Sequence, residues 1–361
     1  MRAAGGAGGC FARKMGKSSG MPLRVLFIGG TGNISLPCVA AAVAAGHHVT
    51  VFNRGATVVR LPDDVTSIVG EMNDGEAYSE LGKASFDVVC QFIVFTPEQM
   101  ARDIDTFLGC AGQYIFISSA SVYEKPPRHY IITEKTPAVN PYWAYSQNKI
   151  ACEAMLKSTS SALWTIVRPS HTVRSMLPTM FNEGDVVAHR MLEGRPVIVA
   201  GDGSTPWTLT RCKDFARPFV GLFGKSAALG EDFHITSDNA YAWDDIYRTI
   251  AAGLGVEADI VHVPTDTLVR YRPEWEGPLR GDKTWPALFD NTKVRKVAGD
   301  FPAANELRDV LAEPIASVKA RKRLTRHELD PLIDRIVNDQ RALGLQLNEL
   351  AGCWSGSKVV L

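Results

Sequence analysis

Residues 23–55 read LRVLFIGGTGNISLPCVAAAVAAGHHVTVFNRG and contain two apolar runs, separated by a glycine-rich turn and an alanine-rich segment. The runs Leu23 to Ile28 and Val49 to Phe52 have the length and composition of buried strands. The alanine-rich segment predicts a helix that stops at Gly46, because glycine commonly follows the last turn of a helix. The stretch therefore predicts a strand, a helix and a second strand parallel to the first.

The glycine-rich turn predicts a site for a dinucleotide. Its three glycines allow the backbone to turn tightly and to approach a pyrophosphate closely, and the start of the following helix favours negative charge. A glycine turn alone is weak evidence, but this turn lies between a predicted strand and a predicted helix, as the mechanism requires. The predicted cofactor-binding residues of the turn are Gly29, Gly30, Thr31, Gly32, Asn33 and Ile34.

Further apolar runs alternate with helical patterns downstream. The predicted strands are Val65 to Val69, Phe86 to Ile93 and Tyr114 to Ser118, and the predicted helices are Asp74 to Gly82 and Pro97 to Ala111. This alternation predicts an α/β fold with a doubly wound parallel sheet and right-handed crossovers. Ligands of such sheets bind at the carboxyl ends of the strands, where the sequence has NRG at 53–55 and SSASVY at 118–123.

The charges of the chain are balanced. Its 361 residues include 39 Lys and Arg and 39 Asp and Glu, so no overall field recruits nucleic acid or an anionic membrane. No apolar run approaches the length of a membrane span. Seven scattered cysteines form no CxxC pair and have no histidine at metal-ligand spacing. We therefore expect reduced thiols, no metal site, no nucleic-acid partner and no membrane partner.

The first twenty residues are rich in Gly, Ala, Ser and basic residues and contain no acid. This composition predicts a disordered extension over residues 1–21. The lack of an apolar span and the scattered cysteines predict a cytoplasmic protein. A transit peptide is the alternative, because such segments are also basic and poor in acids. Met21 would serve equally well as a start.

The stretch NPYWAYSQNKIACE at 140–153 predicts a helix from Pro141 onward, on which Tyr145 and Lys149 share a face. A neighbouring ammonium favours the phenolate, which can exchange a proton with a substrate oxygen at neutral pH. Ser119, at the end of a neighbouring predicted strand, can hold the same oxygen. Tyrosine and lysine at this spacing also occur on solvent-exposed helices; the combination with Ser119 and the glycine turn favours catalysis.

In their order and spacing, GGTGNIS, FISSASVY and YSQNKIACE resemble motifs of the extended short-chain dehydrogenase/reductase superfamily, the branch of NAD-dependent epimerase/dehydratase-like proteins. The resemblance extends from about Leu23 to about Phe301 and implies a Rossmann-type sheet with a smaller substrate-binding lobe. It implies that Tyr145 is the catalytic acid/base and that Lys149 lowers the pKa of this tyrosine and contacts the nicotinamide ribose. Ser119 would bind the reacting oxygen, with Ser121 as a nearby substitute.

The end of the second predicted strand bears on the choice between NAD and NADP. An acid at this place in NAD-preferring relatives binds the ribose hydroxyls, whereas this chain has neutral Asn53 followed by Arg54. A guanidinium suits a 2′-phosphate, so the sequence favours NADP, with NAD as the alternative. Glu71 follows the third predicted strand, where the family usually has an acid near the adenine. Arg54 stacking on adenine and Glu71 facing solvent remain alternative interpretations.

The predicted domains are a dinucleotide-binding domain at 22–169, a partly discontinuous substrate-binding lobe at 170–305 with segments that return to the sheet, and a helical tail at 306–361. Pro169 marks the exit from the sheet. The candidate substrate residues are Ser121, His171, Asn182 and Trp207, the last three by position only.

Three functions are compatible with these patterns. The first is an NAD(P)-dependent oxidoreductase or epimerase of a secondary alcohol or ketone, with a sugar or sugar nucleotide as one substrate class. The second, a sugar-nucleotide dehydratase, is disfavoured because Ala120 and Ser121 stand where such enzymes commonly have an acid pair. The third is a non-catalytic dinucleotide-sensing or RNA-binding member, similar to chloroplast stem-loop RNA-binding proteins. The resemblance also implies a homodimer.

Overall fold

The computed structural model of the chain describes residues 21–57, 59–181, 183–302, 306–321 and 328–354. These residues form two compact units. Unit one contains 21–174, 208–239 and 288–302, and unit two contains 175–207, 240–287 and the described residues from 306 onward. Residues 1–20 of the predicted extension, Asn182 and positions 322–327 of the predicted carboxyl-terminal tail lie outside the described residues.

The described strands are, in chain order, β1 (Arg24–Ile28), β2 (His48–Asn53), β3 (Thr66–Val69), β4 (Val88–Gln91), β5 (Gln113–Ile117), β6 (Ile131–Ile132), β7 (Trp164–Pro169), β8 (His171–Val173), β9 (Val197–Ala200), β10 (Pro206–Arg211), β11 (Glu231–Ile235), β12 (Ala240–Ala242), β13 (Ile260–Val263) and β14 (Leu288–Phe289). The described helices are α1 (Ser35–Ala44), α2 (Gly75–Lys83), α3 (Pro97–Phe107), α4 (Ala144–Lys157), α5 (Val186–Leu192), α6 (Cys212–Gly221), α7 (Trp243–Leu254), α8 (Thr265–Tyr271), α9 (Glu276–Pro278), α10 (Thr292–Ala298), α11 (Leu307–Ala320) and α12 (Asp330–Trp354).

Unit one is built on a parallel sheet with the strand order β11-β7-β5-β4-β1-β2-β3. The order runs outward from β1 in both directions, as in a doubly wound sheet. The α/β class and the doubly wound parallel sheet predicted from the sequence are therefore confirmed.

The two faces of this sheet carry separate hydrophobic cores, because successive side chains of a strand point to opposite faces. Val25 and Phe27 of β1 belong to one core with residues of α1 and α6, whereas Leu26 and Ile28 belong to the other with residues of α2, α3 and α4. All four side chains are fully buried. Each such burial contributes about 2 kcal/mol to folding, which explains why the strands are continuous apolar runs.

Some boundaries differ from the sequence prediction for local reasons. The strand predicted from Phe86 to Ile93 is confined to Val88–Gln91, because the amide of Ile93 donates to the side chain of Gln91. The helix predicted from Pro141 begins at Ala144, because the amide of Tyr142 donates to the Asn140 side chain in a local turn. The helix predicted from Pro97 to Ala111 ends at Phe107.

Unit two consists mainly of helices around the parallel pair β9 and β13. Helix α11 packs closely on α7, where a Cβ atom on Gly253 would lie 2.5 Å from the Ile315 side chain. Arg190 of α5 is buried and donates to Asp330 and Asp334 of α12, both at 2.7 Å. These charge-assisted bonds fasten the carboxyl-terminal helix to the unit. Among the described residues, no helix combines the length and the apolar character needed to cross a bilayer.

Candidate active site

The glycine turn between β1 and α1 has no room for side chains at two positions. Gly29 has a φ of +83°, and a Cβ atom on it would lie 2.5 Å from the Cγ2 atom of Ile93. A Cβ atom on Gly30 would lie 2.8 Å from a methyl group of Val51. The turn is therefore tightly packed on its inner side at Gly29 and Gly30, whereas Gly32 is exposed.

Ser35, the first residue of α1, closes this turn from within. Its buried hydroxyl donates to the carbonyl of Gly29 at 2.6 Å and accepts from the amide of Gly32 at 2.9 Å. The amides of Asn33 and Ile34 form no hydrogen bond to any described residue and remain available to an anion. The sequence analysis did not identify Ser35; its signal is a serine at a helix start, where this residue type bonds nearby backbone.

A cavity of about 390 Å³ lies at the carboxyl ends of β1, β2 and β4 in unit one. Its lining residues are Gly29, Thr31, Gly32, Phe52, Asn53, Arg54, Gly55, Ala56, Thr57, Gly70, Glu71, Met72, Asn73, Ile93, Phe95 and Gln99. Six of the predicted cofactor residues lie among them: Gly29, Thr31, Gly32, Asn53, Arg54 and Glu71. The predicted residues Gly30, Asn33, Ile34, Tyr145 and Lys149 do not line it.

The rim of the cavity at the end of β2 carries no acid. The Asn53 side chain accepts a hydrogen bond from the amide of Gly55 at 2.7 Å, which orders the turn after the strand. The exposed Arg54 forms no ion pair with any residue that the structure describes. Glu71 is also exposed and lines the same cavity. A ligand here would meet a free guanidinium, with one carboxylate in the same wall.

Tyr145 and Lys149 lie on α4, one helical turn apart. The half-buried Tyr145 ring packs on the rings of Trp143 and Phe95, with centroids at 4.9 and 6.5 Å. The Nζ atom of Lys149 lies 5.9 Å from the Tyr145 ring centroid and 4.7 Å from that of Phe95. Since Phe95 also lines the cavity, this ring connects the tyrosine and lysine to the predicted cofactor site.

Lys149 is buried, and its Nζ atom donates to the carbonyl oxygens of Val94 at 2.7 Å and Ile117 at 2.8 Å. Burial lowers its pKa to about 7, although the nearby Cys152 and Glu153 favour the charged form. The side chain is therefore about half protonated at neutral pH. The electrostatic effect on Tyr145 that the sequence predicted depends on the charged form, so this effect becomes stronger as the pH falls.

Ser119 begins a chain of hydroxyl groups at the end of β5. Its Oγ atom lies 2.9 Å from that of Ser121 and accepts from the Ser121 amide at 3.2 Å. Ser146, the buried neighbour of Tyr145 on α4, donates to the Ser121 hydroxyl at 2.7 Å. The structure thus brings Ser119 and the α4 residues together through Ser121. Ser121 itself is buried, with both neighbouring hydroxyls as partners.

The other predicted substrate residues are more dispersed. His171 is half-buried on β8 in unit one. Trp207 belongs to unit two, where it is buried and stacks on Trp243 with a centroid distance of 5.5 Å, so its contacts there are those of a core residue. The sequence analysis did not identify Ile93 and Phe95 as residues of the site. Their position just after a buried strand was the available signal, because ligands of such sheets bind at the carboxyl ends of the strands.

A buried ion pair fixes α4 to the sheet. Arg168, at the end of β7, donates from Nε to Glu153 at 2.9 Å and from a terminal nitrogen to the same carboxylate at 2.6 Å. Both side chains are almost completely buried. Because Glu153 follows Lys149 by one turn, this bidentate pair sets the position of the helix that carries Tyr145.

Comparison with known structures supports this view of the fold. The fold matches that of a solved short-chain dehydrogenase/reductase superfamily protein from Agrobacterium tumefaciens with bound NAD, with a TM-score of 0.62 and 19% identity. The match covers 88% of this chain and 99% of that chain. At this identity the likeness shows the fold alone.

A family model described as NAD(P)H-binding matches residues 29–175, the segment that holds the glycine turn and α4. The 2′-dehydrokanamycin reductase of Streptomyces kanamyceticus is 28% identical over 286 residues, which cover 77% of this chain and 80% of the relative. The chain is therefore similar in sequence to an NAD(P)H-binding family over residues 29–175 and in fold to a short-chain dehydrogenase/reductase superfamily protein. A second relative, the chloroplast stem-loop binding protein of 41 kDa b from Arabidopsis thaliana, is 29% identical over 256 residues, which cover 66% of this chain and 65% of the relative.

The match to an NAD(P)H-binding family model supports NAD or NADP as the cofactor class. The residues present fit such a group, because a Cβ atom on Gly29 or Gly30 would collide with its neighbours. The free amides of Asn33 and Ile34 at the start of α1 suit a pyrophosphate. The part of the described cavity that lies between the ends of β2 and β3 suits an adenosine.

Proposed function

We propose that the chain is an NAD(P)-dependent oxidoreductase or epimerase that acts on a secondary alcohol or ketone, with a sugar or sugar nucleotide as the candidate substrate class. The observation that carries the proposal is the arrangement of Ser119, Tyr145 and Lys149 in one unit, joined to the cavity wall by Phe95. Each residue alone is common; their joint position beside a dinucleotide cradle is typical of catalysis in this superfamily.

The proposed chemistry assigns one task to each side chain. The Tyr145 hydroxyl exchanges a proton with the substrate oxygen, and the Ser119 hydroxyl donates a hydrogen bond to that same oxygen. The protonated Lys149 side chain stabilises the Tyr145 phenolate. Lys149 also holds the loop after β4 by a hydrogen bond to the Val94 carbonyl. When bound, the nicotinamide supplies or accepts the hydride at C4.

A reductase transfers a hydride from the cofactor to the substrate, whereas an epimerase returns to the substrate the hydride that it removed. The relative named a 2′-dehydrokanamycin reductase supports a net reduction. Dehydration is disfavoured because Ala120 and Ser121 supply no acid pair beside Ser119. Both side chains are buried in the 3₁₀ turn after β5, which leaves Ser119 as the hydroxyl of this turn that is partly accessible.

NADP is the proposed preference. The supporting observation is the end of β2, where Asn53 replaces an acid and Arg54 lines the cavity without a carboxylate partner among the residues described. A free guanidinium stabilises a 2′-phosphate, and an acid that would repel it is absent from this strand end. Glu71 in the same wall is the feature that weakens this preference.

A non-catalytic dinucleotide-sensing or RNA-binding role is the second candidate. It is favoured by the similarity to the chloroplast stem-loop binding protein. The balanced net charge and the presence of Ser119, Tyr145 and Lys149 favour the enzyme. We further propose a homodimer, a cytoplasmic location, and no nucleic-acid or membrane partner, in keeping with the sequence.

The first experiment is titration of the purified protein with NADPH and NADH, followed by nicotinamide fluorescence, together with mass spectrometry of any nucleotide that co-purifies. Selective, exchangeable NADPH binding supports a reductase and justifies a ketone screen. Tightly retained NAD(H) supports an epimerase and contradicts the NADP preference. Binding of neither nucleotide refutes the proposed function.

The acid/base assignment is tested with Tyr145→Phe on the substrate found in this screen. Only the transferable proton is lost, so we expect turnover to fall by at least about 100-fold, with cofactor affinity nearly unchanged. Trp143→Phe, a conservative change in the same aromatic cluster, is the control and should retain most activity. Full activity of Tyr145→Phe would contradict the assignment.

A further inference from the structure

A buried polar cluster, which the proposed chemistry does not use, lies in unit one against the loop after β4. The Asp103 carboxylate accepts hydrogen bonds from the hydroxyls of Tyr78 at 2.8 Å and Tyr114 at 2.7 Å. It also accepts from the Nε2 atom of Gln91 at 2.5 Å. All four side chains are at most 1% exposed. An apolar core of the same volume would avoid the cost of desolvating an acid, so this cluster calls for a physical explanation.

Gln91 connects the cluster to the cavity. Its Nε2 atom faces the Asp103 carboxylate and the Tyr78 hydroxyl, and its Oε1 atom accepts from the backbone amide of Ile93 at 2.8 Å. Burial raises the pKa of Asp103 to about 6, and the ionised carboxylate, which only accepts hydrogen bonds, favours the orientation in which the amide nitrogen of Gln91 faces inward. In that orientation the amide oxygen of Gln91 accepts the hydrogen bond from the backbone amide of Ile93.

Ile93 is a wall residue of the cavity and packs against the glycine turn. Its Cγ2 atom lies 2.5 Å from the position that a Cβ atom on Gly29 would take. A shift of the main chain at Ile93 would therefore change both the wall and the support of the turn. The contacts run without a break from Asp103 through Gln91 and Ile93 to Gly29.

The same loop is held from its other side by α4. Lys149 donates to the carbonyl of Val94, and the Phe95 ring packs beside Lys149 and Tyr145. Gln91 thus binds the N–H group of Ile93, and Lys149 binds the carbonyl of the following residue, Val94. A loop in which two adjacent residues are each held by a side chain has its bound conformation before the ligand arrives, which lowers the entropic cost of binding.

We propose that Gln91, oriented by the Asp103 carboxylate, is a positioning residue for the dinucleotide. It fixes the main chain at Ile93 and thereby forms the wall of the cofactor cavity in advance. The inference rests on the proposed function, because it concerns the same cavity. It adds Gln91, a residue that has no contact with the cofactor in the proposed function.

The test compares Gln91→Met with Gln113→Met. Gln113 is a matched control, because it is fully buried at the start of the neighbouring strand β5 and its Oε1 atom also accepts a backbone amide, that of Gly224, at 2.8 Å. Methionine keeps the volume and removes the hydrogen bonds, so both variants should lose stability. Only Gln91→Met should weaken NADPH and NADH binding, by about tenfold, as expected for one lost hydrogen bond.

Hydrogen exchange gives a second readout that is independent of the nucleotide. The peptide that contains the Ile93 amide should exchange faster in Gln91→Met, whereas its exchange in Gln113→Met should match the wild type. A role confined to global stability would raise exchange throughout the unit in both variants.

A rescue variant tests the orientation argument. Gln91→Glu alone places two carboxyl groups together and should weaken nucleotide binding, because the donor to Asp103 is lost. Gln91→Glu combined with Asp103→Asn restores one carboxylate and one amide with the direction of their hydrogen bond reversed. We expect this double variant to bind NADPH more tightly than Gln91→Glu, because the hydrogen bond between positions 91 and 103 is regained; recovery should be incomplete, because Tyr114 donates to the same Oδ2 atom of Asp103 as Gln91 and loses this acceptor.

The outcomes separate the inference from the proposed function. If the wild type binds neither nucleotide, the proposed function fails and the inference fails with it. If the wild type binds but Gln91→Met binds equally well, or Gln113→Met loses the same affinity, the inference alone fails. A double variant that binds no better than Gln91→Glu would also overturn it.

Discussion

The buried lysine of α4 leads to a measurable dependence of stability on pH. Burial lowers the pKa of Lys149 from 10.5 to about 7 in the folded protein, whereas the unfolded chain retains the ordinary value. Between these two values the unfolded state binds more protons than the folded state. Raising the pH in this window therefore stabilises the folded protein, and the stabilisation is lost as the pH falls through about 7.

The expected size follows from linkage. Each pH unit in the window changes the free energy of unfolding by about 1.4 kcal/mol per proton. Between pH 7 and 9 the contribution is about 2 kcal/mol, after allowance for a side chain that is already half deprotonated at pH 7. The variant Lys149→Met lacks this titration. The difference in the free energy of unfolding between wild type and variant should therefore shift by about 2 kcal/mol in favour of the wild type over these two units.

The assay is urea unfolding at pH 7, 8 and 9 without added nucleotide, because a bound ligand would stabilise the folded state by mass action. Gln147→Met, an exposed position on the same helix, is the control and should follow the pH profile of the wild type. Other titrating groups contribute equally to all three proteins and cancel in the differences. Parallel profiles for wild type and Lys149→Met would refute the assignment of a desolvated lysine.

Three further substitutions test other parts of the site. Glu153→Gln removes one of the two carboxylates that the buried Arg168 contacts, while Asp232 remains at 2.8 Å, so the free energy of unfolding in urea denaturation should fall by about 1 to 3 kcal/mol; an unchanged value would contradict the structural role of the pair. Gly30→Ala places a methyl group 2.8 Å from Val51 and should cost about 1 to 3 kcal/mol and weaken binding of both NADPH and NADH; unchanged affinity would argue against the cradle. Arg54→Ala should weaken NADPH by about tenfold and NADH little, so equal losses in fluorescence titrations would remove the argument for the 2′-phosphate.

The sequence predicted local patterns well because those patterns arise from neighbours in the chain. The glycine turn at 29–32, the strands on either side of α1, and the placement of Tyr145 and Lys149 one turn apart all follow from spacing and residue type. The ends of strands and helices were less predictable. At Ile93, for example, the backbone amide donates to the Gln91 side chain instead of to a neighbouring strand, so β4 ends early.

What each polar group contacts could not be predicted in this way. The partners of Ser119, namely Ser121 and through it Ser146, come from two segments that only the fold brings together. The Gln91 and Asp103 side chains appeared as ordinary polar residues of a strand and a helix in the sequence. Their burial and their bond follow from the packing of α3 on the sheet.

The sequence by itself determined the alternation of strands and helices, the position of the dinucleotide turn, and the presence of the serine, tyrosine and lysine. These features depend on the period of apolar residues and on the backbone freedom of glycine, which are properties of short segments. Only the tertiary structure decided that Lys149 is desolvated, that a buried acid supports the cavity wall, and that Arg168 holds α4 to the sheet. Desolvation and hydrogen-bond partnership depend on which distant segments surround a group, and a single sequence does not record that surrounding.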